Sequence, residues 1–169
     1  TMSHRAHSCA LAFVLVLLLP ISFAHAADLL ISPGAGSYAA GKEFTVKIAV
    51  NPAGGSVNAA DGSMSFDSDI LSVARISKDG SAFSLWTAEP SFSNADGTIV
   101  FSGGTPTAFS NQSNVLSVTF KGKKEGIGAV KFTSGSILAA DGKGTNVYTK
   151  GVEGSFTITA AAATPPPPP

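Results

Sequence analysis

The chain has 169 residues, and its eleven basic and eleven acidic side chains cancel to a formal net charge of zero. No whole-chain field exists to draw in nucleic acid or an anionic membrane surface. Charged residues make up only 13% of the sequence, about half the usual ~25%, and this scarcity of Glu, Lys and Arg argues against a helical bundle.

Residues 1–27 read as a secretory signal peptide. Met2-Ser3-His4-Arg5 gives a short positive start, and Ala10 to Phe23 is almost wholly apolar. Ala24-His25-Ala26 then supplies the small-x-small pattern for cleavage after Ala26 or Ala27. The apolar run is short of the ~20 residues a spanning helix needs, and Pro20 interrupts its end. Cys9, the only cysteine, precedes the run, which is the wrong place for a lipoprotein anchor. Cleavage removes it together with His4, His7 and His25. The expected mature chain, secreted or held at the cell surface, therefore has no thiol, no disulfide and no imidazole.

From Asp28 to Thr159 the apolar residues alternate with polar ones, the period-two mark of half-buried strands. Leu29-Leu30-Ile31 opens the series. Phe44, Val46, Ile48 and Val50 share one strand face, with Glu43, Thr45 and Lys47 on the other. The pattern returns in Met64-Ser65-Phe66, in Leu71 to Ile76, weakly in Phe83 to Trp86, and in Ile99-Val100-Phe101. Val115 to Phe120, Val130-Lys131-Phe132, Ile137-Leu138 and Val152 to Ile158 complete it. Gly41, Gly80, Gly97, Gly126 and Gly142 mark the turns between. About nine or ten short strands at this spacing predict an all-β, antiparallel sandwich or barrel. No internal repeat divides residues 28–159, so they form one domain. Residues 160–169, Ala-rich and then five prolines, read as a stiff polyproline linker or tail. The expectation is that it leads to an anchor or second module beyond Pro169.

The order of these segments resembles the cohesin domain, the receptor module of bacterial cellulosome scaffolds. Gly41-Lys42-Glu43-Phe44-Thr45-Val46 matches the family's opening strand, and Phe66-Asp67 leading to Leu71-Ser72-Val73 its next element. Asn94-Ala95-Asp96-Gly97 turning into Ile99-Val100-Phe101 follows, then Leu116 to Gly126 with Phe120-Lys121. Ala140-Asp141-Gly142 and Gly154-Ser155-Phe156-Thr157-Ile158 close the match. The resemblance covers nearly the whole mature region. It implies a jelly-roll β-sandwich of about nine strands that binds a dockerin-like protein module, or in distant relatives a polysaccharide, and catalyses nothing. The binding residues cannot be placed from the sequence.

A search for chemistry supports the non-enzymatic reading. Without His or Cys there is no Ser-His-Asp or Cys-His arrangement and no usual zinc set. Asp67 and Asp69 form the nearest carboxylate pair but read as turn formers, while Glu89 and Glu153 stand alone; none is expected at glycosidase separation. The loop Asp141 to Asn146 offers oxygen ligands but lacks the alternation and terminal Glu of a calcium loop, so it reads as a plain turn. Phe83, Trp86 and Phe92 are the candidates for an aromatic sugar platform, Phe83 being the better core residue. Lys121, Lys123 and Lys124 read as a solvated cluster, and Asn111-Gln112-Ser113 as a chance glycosylation sequon. No catalytic, cofactor or metal site is assigned.

Overall fold

The computed structural model describes residues 26–163. Residues 1–25 and 164–169, which carry most of the expected signal and the proline run, lie outside it. The described residues contain no helix and eleven strands: β1 (Ala27–Ser32), β2 (Ala35–Ala39), β3 (Glu43–Asn51), β4 (Val57–Phe66), β5 (Leu71–Ser77), β6 (Leu85–Ser93), β7 (Thr98–Phe109), β8 (Ser113–Gly122), β9 (Gly126–Ala139), β10 (Tyr148–Val152) and β11 (Gly154–Thr159). They form a five-stranded sheet in the order β10-β1-β3-β8-β5 and a six-stranded sheet in the order β2-β11-β9-β4-β7-β6. The two sheets close one core between their inner faces.

The count exceeds the expected nine for a topological reason. The first segment of the domain breaks at Pro33-Gly34, so that β1 joins one sheet and β2 the other. The last segment makes the same crossing at Glu153, between β10 and β11. The two segments lie side by side, and β1 pairs with β10, and β2 with β11, in parallel. These are departures from the antiparallel expectation. They are possible because the whole domain serves as the long connection a parallel pair requires. In the opposite direction, Val130-Lys131-Phe132 and Ile137-Leu138 merge into the single long strand β9.

Alternation selects the core. On β3, Phe44, Val46, Ile48 and Val50 are buried, and they face Leu116, Val118 and Phe120 of β8 within the sheet. Phe156 and Phe66 come in from the other sheet, with Phe44 and Phe156 rings 5.0 Å apart and Phe66 meeting Phe120 edge-on at 5.6 Å. Tyr38 of β2 stacks on Phe44 at 4.0 Å and covers the cluster at its rim. Each fully buried large apolar side chain contributes roughly 1.5–3 kcal/mol, and a chain without disulfides depends on this term. Phe83 belongs to the same core, at 4% exposure.

β4 shows how a segment with little apolar alternation still forms a central strand. Ala60, Gly62, Met64 and Phe66 point inward, while Asp61, Ser63 and Ser65 point out. Gly62 has no side chain because the Phe101 ring of β7 fills its place: an added Cβ would lie 2.7 Å from that ring. β6, the edge of the same sheet, carries Pro90, a residue that sheet edges tolerate and that discourages further strand addition.

Candidate protein-docking face

The outer faces of the two sheets differ in chemistry. That of the five-stranded sheet is charged: Glu43 and Lys47 of β3, Arg75 of β5 and Lys121 of β8 share it. Arg75 Nη1 donates to Glu43 Oε2 at 2.8 Å, and the Thr45 and Thr119 hydroxyls meet at 2.8 Å. The Arg75–Glu43 pair is exposed, and Lys47 and Lys121 add positive charge to the same face.

The outer face of the six-stranded sheet is built of small hydroxyl side chains. Register places Ser136, Asp61, Ser102 and Ala88 in one row across β9, β4, β7 and β6. Ser134, Ser63, Val100 and Ser91 form the next row. Four strands at ~4.8 Å spacing make each row about 14 Å wide. Asp61 is the only charged residue in the two rows. Its carboxylate accepts a hydrogen bond from the Ser136 hydroxyl. Thr87 Oγ1 donates to Ser102 Oγ at 2.6 Å. Val100 is 43% exposed and Leu85, further along β6, is 59% exposed. A shallow groove of about 270 Å³ runs between Asp61 and Ser63 on one side and Ala88 and Glu89 on the other, floored by Val100 and Ser102. A face of this kind gives a partner little charge to desolvate and many short groups that hydrogen-bond without much loss of rotamer freedom.

At the rim of this face Lys78 ties the two sheet edges together. Its ammonium lies 2.6 Å from Glu89 Oε2 and 5.6 Å from the centre of the Trp86 ring. Trp86 pairs with Gly103 in register and stands edge-on to Phe83 at 5.7 Å. Phe92 pairs with the buried Ile99, which puts its ring on the inward side of the edge strand. The three aromatics therefore do not assemble into a flat platform on the outer face.

The remaining sequence candidates fall into turns. Asp67 Oδ1 accepts from the Asp69 amide at 3.1 Å, and the Asp67 carbonyl accepts from Leu71 at 2.8 Å. Glu153 faces Lys131 at 3.8 Å. Lys123 Nζ donates to the Ser68 carbonyl at 2.6 Å, so that lysine holds a turn. In the 141–146 loop, Asp141 accepts from the Lys143 amide at 2.8 Å and from the Thr145 hydroxyl. Those bonds hold its carboxyl below the ordinary aspartate range. Asn146 Oδ1 accepts from the Ile137 and Tyr148 amides at 3.2 and 3.0 Å. The loop thus uses these oxygens internally. In the sequon, the Ser113 hydroxyl donates to the Asn111 carbonyl at 3.0 Å, closing the turn into β8. Among the described residues no three His, Cys, Asp or Glu converge as a metal-ligand set.

A larger cleft of about 770 Å³ opens at one end of the sandwich, between Pro52 and Gly54 on one loop and Asp141 and Thr145 on the other. Tyr148 lines it, its phenol pushed up by burial and then by the Asp28 charge.

Sequence reasoning did not single out Asp61, Ser63, Ser102, Ser134 or Ser136. The available signal was the polar half of the alternation, Ser63 and Ser65 around Met64 and Ser134 and Ser136 around Gly135. Hydroxyl residues outside a strand are too common to mark a site until register aligns them.

Comparison with known proteins accords with this architecture. The family model described as Cohesin domain matches residues 31–158. The seventh ScaB type I cohesin of Pseudobacteroides cellulosolvens superposes with a TM-score of 0.61 at 22% identity, covering 82% of this chain and 95% of that one. The Coh-OlpC-Doc435 complex of Clostridium thermocellum, a type I cohesin–dockerin complex, gives 0.66 at 14% identity, covering 93% and 99%. A non-cellulosomal cohesin from the archaeon Archaeoglobus fulgidus gives 0.61 at 15%, covering 79% and 91%. No curated protein matches the chain.

Proposed function

The chain belongs to the cohesin domain family, and from that premise we propose that it is an exported, non-catalytic module whose six-stranded face binds a dockerin-like protein. The observation that carries the reading is the two-row field centred on Asp61, with Ser136 and Ser102 beside it and Val100 exposed within it. Membership of the family supports the class of partner, and the difference between the two outer faces supports this choice of surface. The signal-like N-terminal segment and the proline-rich segment in the sequence support the extracellular part of this reading.

Titration of the purified chain with dockerin modules from the same organism tests the reading. Saturable binding that Asp61→Arg abolishes supports it. Retardation of the chain on cellulose, xylan or pectin, lost in Trp86→Ala, with no dockerin binding, would replace it by a carbohydrate-binding or envelope-structural role.

A further inference from the structure

The outer strands of the two sheets are β10, β5, β2 and β6, and three of these edges are guarded. On β5 the Asn94 side chain takes both main-chain groups of Val73, accepting from the amide at 2.7 Å and donating to the carbonyl at 3.0 Å. β6 carries Glu89 and Pro90, and β10 carries Lys150. β2 has neither charge nor proline; it reads Ala35-Gly36-Ser37-Tyr38-Ala39 and pairs with β11 alone.

Two bonds fix the direction of its main chain. The Ser155 amide donates to the Gly34 carbonyl and the Ala40 amide to the Thr159 carbonyl, both at 2.9 Å. Alternate residues bond in a parallel ladder, so Gly36 and Tyr38 turn their amides and carbonyls toward β11. Ala35, Ser37 and Ala39 turn theirs to the open side, where the Ala39 carbonyl also accepts from the Lys42 amide at 3.0 Å. Ala35 and Ser37 are exposed. On the inner face the Tyr38 ring is stacked on Phe44, which holds the strand in place.

We infer that this edge is a dimer interface, β2 pairing antiparallel with β2 of a second copy about a two-fold axis. In that register Ser37 meets its own counterpart and exchanges both main-chain bonds with it, while Ala35 meets Ala39. Only small, uncharged side chains come together, and symmetry supplies the complementarity. A foreign strand would need pockets to read its alternate side chains, and neither cavity described above is lined by β2. The axis stands normal to the sheet, so both outer faces stay on one side. Seven strand spacings of ~4.8 Å then separate the two Asp61 residues by about 34 Å. This bivalent display rests on the docking reading; the pairing itself does not.

Sedimentation velocity of the purified chain, from about 10 μM to 1 mM, tests the pairing. A reversible dimer is expected, weakened at least tenfold by Ser37→Pro. That substitution keeps the bonds to β11, because the Ser37 amide faces the open side, and thermal unfolding checks that the variant folds. Ser37→Lys and Ser37→Glu should each be monomeric alone and form a dimer when mixed, since residue 37 meets itself only in this register. A wild-type chain monomeric at 1 mM overturns the inference, as does a dimer that survives Ser37→Pro. Failure of the mixed Lys and Glu variants to pair also overturns it. All three outcomes leave dockerin binding to be judged by its own titration.

Discussion

The Ser136 hydroxyl of β9 donates to the Asp61 carboxylate of β4 across the outer face of the six-stranded sheet. The pair is exposed, so it orients the carboxylate more than it stabilises the fold. Ser136→Ala is therefore expected to change folding stability by no more than about 0.5 kcal/mol, read by thermal or denaturant unfolding. Its effect belongs in binding, where a freely rotating Asp61 weakens partner affinity by roughly fivefold, about 1 kcal/mol.

Gly62 lies on the inward side of β4, between Asp61 and Ser63 of that face. An added Cβ would press on the Phe101 ring at 2.7 Å, and both residues are central in their sheet. Gly62→Ala is expected to cost about 1–3 kcal/mol through overpacking. Urea unfolding should show a lower midpoint with an unchanged slope.

At the rim, Lys78 lies over Trp86 and against Glu89. Both charged side chains are substantially exposed, at 41% and 74%, so screening keeps the ion pair weak. Lys78→Ala should cost no more than about 1 kcal/mol. Trp86 is the sole tryptophan, so intrinsic fluorescence reports the change directly: the emission should shift to the red as the ring gains water.

The Asp141 loop is sensitive to acid in a defined direction. Hydrogen bonds from the Thr145 hydroxyl, and next from the Lys143 amide, depress the folded-state pKa of Asp141. Loop order from this source is complete above the ordinary aspartate pKa and is lost as pH falls through the lower folded value. Carboxyl titration by NMR should find Asp141 ionising below the ordinary aspartate range, and Thr145→Ala should raise its pKa toward that range. Protection of the Lys143 amide, measured against its intrinsic exchange rate at each pH, should fall in the same acid range.

Much of the sandwich was legible because its strands advertise themselves. Phe44 to Val50 and Val115 to Phe120 alternate cleanly, and both fall at the centre of the five-stranded sheet. β2 was not legible, since Ala35-Gly36-Ser37-Tyr38-Ala39 offers one large apolar residue and gains its place by pairing with β11. The first half of β4 was hidden for a related reason: at Gly62 the inward side chain is supplied by Phe101 of a neighbouring strand. β7 extends through Pro106 because its ladder with β4 is irregular there, between the Ala59–Gly104 and Val57–Phe109 pairs. Parallel pairing of the terminal segments is a purely tertiary outcome. The docking face was the least visible part, because Asp61, Ser102 and Ser136 are distant in sequence and meet only when three strands take their register.

The central claim is that a dockerin-like partner docks on the six-stranded face and not on the charged face opposite. Isothermal titration of the chain and two variants with one dockerin module tests it most directly. Asp61→Arg alters the middle of the proposed face, and Lys47→Glu alters the other, so each controls for the other's effect on folding. The account predicts that Lys47→Glu binds like the wild type while Asp61→Arg loses about a hundredfold or more in affinity. Unchanged binding by Asp61→Arg, or a comparable loss in Lys47→Glu, would contradict it.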